Sequence, residues 1–104
     1  MSKSARAKAL DIPTKVKKRV WERDGQQCIL CGNHEAMPNA HAIPRAQGGL
    51  GIEENVVTLC IRCHDALDHS TARKTLYAKV VAYLRGKYPD WDGIEKTYSK
   101  WRRA

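Results

Sequence analysis

The pattern of apolar and polar positions predicts a helix near the start of the chain. The segment from Pro13 to Arg23 has helical spacing, with Val16 and Val20 on one side and basic residues on the others. Asp24-Gly25 is a stop and turn signal, so we expect the helix to end there.

Short strands are predicted in the middle of the chain. Residues 39–43 predict one strand, and residues 56–59 predict a second strand or a strand-like entry to the turn that follows. The segment 47–51 is rich in glycine and should be a loop. Residues 64–69 predict the start of a helix.

The last third of the chain has a helical pattern. Apolar residues recur at three- and four-residue steps from Leu76 to Leu84, and Gly86 and Pro89 are expected to close this helix. Asp90 then predicts the cap of a final short helix. One face of that helix would pack aromatic and aliphatic side chains onto the domain: Trp91, Ile94, Tyr98 and Trp101.

The length of 104 residues predicts one domain with a modest core. Residues 1–11 are polar and basic, and we expect a flexible arm there. A single domain would then occupy residues 12–104, with its C-terminal helices in 71–104.

The chain is strongly basic, which bears on its partners. It has 19 Lys and Arg against 11 Asp and Glu, a formal net charge of +8. This charge favours a polyanion such as DNA as the binding partner, although a basic protein that binds no nucleic acid would have the same charge. No segment has the ~20 apolar residues of a membrane span, and the N-terminus has no secretory pattern, so we predict a cytoplasmic protein with reduced thiols.

Four cysteines form two pairs with the spacing of a metal site. The pairs are Cys28-x-x-Cys31 and Cys60-x-x-Cys63. Two such pairs in a reducing compartment predict four thiolates around one Zn²⁺ ion rather than four unrelated buried cysteines. Four protein ligands leave no open position, so this zinc would be structural.

The residues between and around the cysteine pairs carry a family resemblance. His41-Ala42-Ile43-Pro44 is followed by Gly48-Gly49, then by Asn55 before an apolar run, and then by Cys60 to His64. With the lead-in Trp21 to Gly25, this order resembles the HNH nuclease family over roughly residues 12–70, most of all its compact bacteriophage members. The resemblance implies an α+β fold: a small zinc-stapled ββα-metal domain with core motif 28–69 and flanking helices.

The resemblance also implies catalytic residues. His41 is the candidate general base, because a neutral imidazole accepts a proton near neutral pH; a surface histidine, a neighbour of the zinc site and a metal ligand are the alternatives. His64 is implied as a ligand of the catalytic cation. Asn55 either contacts that cation or holds the loop that orients the base.

One position departs from the family pattern. The residue before the base is usually Asp or His and binds the metal, but here it is Ala40. Asp at this position should therefore restore a ligand. Asp68 is a candidate substitute, because residues four apart share a helix face and a carboxylate suits Mg²⁺ or Mn²⁺.

These features predict a metal-dependent DNA endonuclease that nicks one strand, and the family resemblance implies 5′-phosphate and 3′-hydroxyl ends. Arg45 would contact the scissile phosphate or the DNA backbone in general. Backbone contacts are also expected from the first helix, through Lys15, Lys17, Lys18, Arg19 and Arg23.

The resemblance to phage proteins implies a role in phage DNA processing or packaging, in the host cytoplasm, with terminase or packaging proteins as partners and a monomer as the favoured state. The alternatives are a non-catalytic zinc-finger-like DNA-binding module and an accessory protein of a packaging motor. His41, Asn55 and His64 distinguish the nuclease from these, because a pure binding module has no use for that set.

Overall fold

The computed structural model describes residues 4–98, except the side chains of Ile94 and Glu95. Four helices and two strands make up the fold, with short 3-10 turns at Arg45–Gln47 and Gly93–Lys96. In chain order the main elements are α1 (Ala5–Leu10), α2 (Thr14–Arg23), β1 (Ala36–His41), β2 (Val56–Cys60), α3 (Ile61–His69) and α4 (Arg73–Lys87). The predicted α+β class and the order of two strands followed by a helix are confirmed.

The two strands form an antiparallel hairpin. Ala40 lies opposite Val57 and His41 opposite Val56, with an irregularity between Met37 and Ala40. Strand β1 begins and ends earlier than the predicted 39–43. It ends at His41 because the chain beyond bonds to a single residue, Asn55, instead of continuing the ladder: the amide of Ala42 donates to the Asn55 backbone carbonyl at 2.7 Å, and the next amide donates to its side chain.

The core forms around β2, which is buried along its whole length. Helices α3 and α4 cover one side, where Leu59, Leu67, Val80 and Leu84 pack together. Helix α2 contributes Val16 and Val20 to a second, smaller cluster with Val56. The hairpin is thus fixed from both sides, which holds the end of β1 in place.

The predicted helices near the cysteine pairs agree with the structure within a few residues. Helix α2 begins after Pro13, and α3 begins at Ile61, ahead of the predicted 64. Helix α4 continues through Gly86 to Lys87 rather than stopping at the glycine. It ends where the Tyr88 amide donates to the Leu84 carbonyl at 2.7 Å, just before Pro89.

The predicted flexible arm is a helix over much of its length. Ser4 caps α1 by accepting a hydrogen bond from the Ala7 amide, and Leu10 at its end is only 2% exposed. The Gly51 amide donates to the Ala9 carbonyl at 3.0 Å. A backbone hydrogen bond therefore docks helix α1 on the glycine-rich loop, and the basic composition concealed the buried leucine at the end of this helix. Residues 1–3 lie outside the described part of the chain.

The predicted last helix is also wrong. Between Asp90 and Tyr98, the last residue that the structure describes, only a 3-10 turn forms at Gly93–Lys96, and Thr97 then pairs with Gly49. Trp91 is buried and donates from Nε1 to the Glu54 carbonyl at 2.6 Å, so its predicted packing onto the domain is confirmed. Trp101 lies outside the described residues. Backbone pairing with the glycine-rich loop thus replaces an amphipathic helix.

Within residues 4–98, none of the helices combines the length and apolar character needed to cross a bilayer.

Candidate active site and metal centre

The four cysteines converge on one point at the base of the hairpin. Cys28 and Cys31 lie in the turn before β1, Cys60 ends β2, and Cys63 lies in the first turn of α3. Their Sγ atoms all lie within 4.8 Å of one another, and those of Cys31 and Cys60 are 3.6 Å apart. A zinc–sulfur bond of about 2.3 Å implies tetrahedron edges of about 3.8 Å, so the sulfurs are spaced for a four-coordinate ion.

Backbone contacts fix this geometry. Gly32 adopts a positive φ of 79° and its amide donates to the Cys28 carbonyl at 2.9 Å, which closes the first turn. The Ile29 amide donates to the Thr58 carbonyl at 3.0 Å and ties that turn to β2. The two cysteine pairs are thus held together by the sheet itself.

The acid–base chemistry of the thiols fits a cation. Burial raises the pKa of Cys63, and the three neighbouring thiols raise it further. Burial also opposes ionisation of Cys28, but nearby backbone amides lower the pKa of that thiol to about 7. Once one thiol of the cluster has ionised, the others ionise near neutral pH only if a positive charge lies among the four sulfur atoms. The cluster is arranged to bind a metal ion and is consistent with structural zinc, because four protein ligands leave no open position.

His41 lies at the end of β1 and is half-buried. Its Nε2 atom is 2.9 Å from the backbone carbonyl oxygen of Leu10. A carbonyl only accepts hydrogen bonds, so we assign the proton to Nε2 and leave the lone pair on Nδ1. Burial lowers the pKa of His41 below 6.5, the Leu10 hydrogen bond opposes this shift, and the charges of Arg45 and His64 add to it. The ring is therefore neutral near pH 7 and able to accept a proton.

Asn55 is fully buried beneath the residues that follow His41. Its Oδ1 accepts from the Ile43 amide at 2.9 Å, and its Nδ2 donates to the carbonyls of Ile43 and Leu50 at 3.2 and 2.9 Å. A Cβ atom at Gly49 would lie 1.6 Å from the Ile43 carbonyl oxygen, so the loop closes only around a glycine. The side chain is occupied by backbone partners, which is the geometry of the loop-holding alternative and not that of a metal ligand.

His64 and Asp68 share one face of α3, as their spacing predicts. The Nε2 atom of His64 lies 3.6 Å from Oδ2 of Asp68, and the side chains are 36% and 46% exposed. One nitrogen and one oxygen donor are thus accessible together. Among the residues that the structure describes, only the cysteines form a close group of three or more histidine, cysteine or carboxylate ligands. A cation on α3 would accordingly depend on water and substrate for its other ligands.

Ala40 does not face an emptied ligand position. Its side chain is 0% exposed and packs in the core opposite Val57. A carboxylate at this position would be desolvated among apolar side chains. The burial of Ala40 therefore argues against the expectation that Asp at position 40 restores a metal ligand.

Arg45 braces the base. Its Nη1 donates to the same Leu10 carbonyl at 2.8 Å, and its Nη2 is 3.0 Å from Oδ1 of Asp11. Leu10 and Asp11 were missed by the sequence prediction. A backbone carbonyl leaves no residue signature, and Asp11 belongs to the segment that was predicted to be an arm.

The cations of α2 fall into two kinds. The side chains of Lys15, Lys17, Lys18 and Arg19 are exposed, as a phosphate-contacting face requires. Arg23 is 13% exposed and forms an ion pair with buried Asp24, with Nε 2.7 Å from Oδ1. These internal partners of the guanidinium argue against the predicted contact between Arg23 and DNA.

Comparison with known proteins agrees with this architecture. A family model described as HNH endonuclease matches residues 28–77, which include both cysteine pairs, His41, Asn55 and His64. The chain is also 35% identical over 51 residues to anaredoxin of Nostoc sp. strain PCC 7120, an alignment that covers 48% of this chain and 67% of that protein. The chain belongs to the HNH endonuclease family. Family membership supports a nuclease or nucleic-acid-related function.

Proposed function

We propose that this protein is a metal-dependent DNA endonuclease in which His41 is the general base. The observation that carries the proposal is the hydrogen bond from His41 Nε2 to the Leu10 carbonyl, which leaves Nδ1 unprotonated. With a pKa lowered by burial, His41 would accept a proton from the water that attacks phosphorus. Family membership and the net charge of +8 support a nucleic-acid substrate.

His64 and Asp68 are the residues that would hold Mg²⁺ or Mn²⁺. An imidazole nitrogen and a carboxylate oxygen 3.6 Å apart suit such an ion, and water or phosphate oxygens would complete its coordination. When bound, the cation would offset the negative charge that develops on the phosphate and the leaving 3′-oxygen.

Asn55 and Arg45 would act through His41 rather than on the substrate. Asn55 holds the backbone directly after the base, and Arg45 shares the Leu10 carbonyl with it. Both contacts would restrict movement of the backbone segments that carry the imidazole or accept its hydrogen bond. Such restriction matters because a displacement of about 1 Å can cost on the order of 100-fold in rate.

The exposed cations of α2 would contact the DNA backbone. Such contacts supply affinity without reading the bases, so we expect low sequence preference. One active site per chain would nick one strand and leave 5′-phosphate and 3′-hydroxyl ends. A place for this activity in phage DNA processing or packaging stays a prediction.

The test is plasmid nicking by His41→Ala. Supercoiled DNA is incubated with the parent or variant protein and Mg²⁺, Mn²⁺ or no added divalent cation. Loss of a general base should slow nicking by about 10²- to 10⁴-fold, while zinc content and DNA affinity stay near the parent values. The matched control is His34→Ala, which removes an exposed histidine whose Nδ1 lies 3.2 Å from the Gln26 carbonyl rather than against Leu10, and this variant should nick like the parent. Nicking by His41→Ala at the parent rate would refute the base assignment.

A non-catalytic nucleic-acid-binding module is the second candidate function. It is favoured by Ala40, which places no metal ligand at the position before His41. In that case the parent protein would bind DNA but would nick it no faster than a no-protein control, whichever cation is added.

A further inference from the structure

A cavity of about 310 Å³ opens beside His41, and most of the residues that line it have no role in the proposed cleavage mechanism. It lies between the segment that follows β1 and the helices α3 and α4. Ala42, Ile43, Pro44 and Leu67 give it an apolar lining, and His41 and Asp68 line it as well. A ligand in this cavity would therefore be next to the reacting phosphate.

Tyr77 supplies an aromatic wall. The side chain lines the cavity and is partly buried against the core. Within residues 4–98 its hydroxyl makes no hydrogen bond, so the phenol is available to a ligand. An aromatic ring beside apolar side chains is the surface on which nucleic-acid bases stack, whatever their identity.

Arg73 and Lys74 supply positive charge at the same cavity. Both lie in the first turn of α4, which contains no acidic residue, and both side chains are exposed. Neither forms an ion pair with a residue that the structure describes. Two free cations next to an apolar cavity complement a ligand with a phosphate at one end and a flat ring at the other.

We propose that this cavity binds one unpaired nucleotide of the DNA substrate, with its base against Tyr77 and its phosphate near Arg73 and Lys74. The inference rests on the proposed function, because it places the nucleotide next to the phosphate that His41 attacks. A paired base is stacked on both sides in a duplex and cannot enter a cavity; only a single-stranded or extruded nucleotide can. The volume is at the lower end of ligand pockets, which suits one nucleotide rather than several.

The consequence is a preference for single-stranded or locally unpaired DNA. A duplex would still bind through the exposed cations of α2, which do not line this cavity. Single-stranded DNA would make those contacts and the base contact together. Substitutions in the cavity should therefore weaken binding of single strands without weakening binding of duplexes.

The test measures the Kd of the zinc-loaded full chain by fluorescence anisotropy, without Mg²⁺ or Mn²⁺, for a short labelled single strand and for the duplex of the same sequence. Tyr77→Leu keeps apolar volume but removes the ring, and it should weaken single-strand binding by about five-fold or more, the usual effect of losing one stacked base. Duplex affinity should stay within about two-fold. Tyr77→Phe keeps the ring and should bind both forms like the parent.

A second experiment tests the role of positive charge by comparing two exposed lysines of α4. Lys74→Ala should weaken single-strand binding more than Lys79→Ala, which removes the same charge away from the cavity. This comparison also decides the matter if Tyr77→Leu does not fold. Equal losses for single strand and duplex, or unchanged single-strand affinity in Tyr77→Leu and Lys74→Ala, would overturn the proposal.

Binding and cleavage separate the two proposals. If the cavity variants bind single strands like the parent while the parent nicks plasmid, the cavity proposal fails and the endonuclease proposal stands. If the parent does not nick but the cavity variants lose single-strand affinity, the endonuclease proposal fails and binding of an unpaired nucleotide in the cavity stands.

Discussion

Replacement of Arg23 should destabilise the protein rather than weaken its binding to DNA. The guanidinium binds Asp24 through two nitrogens, with Nε 2.7 Å from Oδ1 and Nη2 3.1 Å from Oδ2. It also donates to the carbonyls of Glu53 and Val56 at 2.6 and 2.7 Å. Arg23 thus ties the end of α2 to the start of β2, and the side chain of its partner Asp24 is 0% exposed.

The magnitude follows from what Arg23→Ala leaves behind. Asp24 would keep the Thr58 amide and the Tyr83 hydroxyl, at 2.8 and 2.6 Å, but no positive charge from Arg23. Removing one partner of a buried ion pair costs about 3–5 kcal/mol, against a total stability of about 5–15 kcal/mol for a typical domain. At about 4–8 °C per kcal/mol, the melting temperature should fall by tens of degrees. Arg23→Lys keeps the charge but loses the two-pronged geometry, and should cost less.

The assay is urea unfolding of the zinc-loaded protein, followed by tryptophan fluorescence, together with the salt dependence of DNA binding. Lys18→Ala is the matched control, since it removes an exposed cation from the same helix. It should leave stability within about 0.5 kcal/mol of the parent and reduce the salt slope by about one. The interpretation is refuted if Arg23→Ala is as stable as Lys18→Ala and loses the same salt-dependent DNA affinity.

Four further predictions concern the metal centre and the base. Cys28→Ser should lose the bound zinc and unfold at lower temperature, and metal analysis beside circular dichroism checks this; a variant with intact zinc and fold would contradict it. Because burial lowers the pKa of His41 below 6.5 and the base must be neutral, the nicking rate should fall only as pH drops below 6.5. Stability should decline over the same range, since the unfolded chain takes up the proton first; an acid limb centred above pH 6.5 in the pH–rate profile would disagree. Asn55→Ala leaves the backbone groups of Ile43 and Leu50 unpaired, so it should cost about 1–3 kcal/mol in urea unfolding and also slow nicking; parent-like stability would argue against the loop-holding role. Ala40→Asp should destabilise the fold by several kcal/mol without lowering the Mg²⁺ concentration that nicking requires, whereas Asp68→Ala should raise that concentration; a metal titration that showed the opposite order would place the cation on β1.

The features that could be predicted from sequence are those whose spacing follows from local geometry. The spacing Cys28-x-x-Cys31 directly indicates two metal ligands in one tight turn. His64 and Asp68 share a face because a helix repeats every 3.6 residues. Strand β2 and helix α3 could also be predicted, because a largely apolar run leads into a cysteine pair. These elements contain the metal centre and half of the candidate catalytic site.

The features that could not be predicted depend on distant parts of the chain. The five cations of α2 look alike in sequence, and only the folding of residues 53–56 over the end of that helix buries Arg23. The partner of His41 is a main-chain carbonyl 31 residues away, so no side-chain pattern identifies it. The polar and basic composition of the first residues likewise concealed helix α1, because the burial of this helix depends on a single leucine at its end.

The alanine at position 40 connects the fold to the chemistry. A small side chain lets β1 lie against Val57 with no exposed surface, and the proposed cation site is then left to the partly exposed face of α3. Two protein donors alone hold Mg²⁺ or Mn²⁺ weakly, so the proposed site needs phosphate oxygens of the DNA to complete its coordination. Binding of cation and of DNA would then strengthen each other by the same factor, because coupling between two ligands is reciprocal. Such a site would be loaded chiefly when a phosphate already lies next to His41, which ties the presence of the metal to the presence of the substrate.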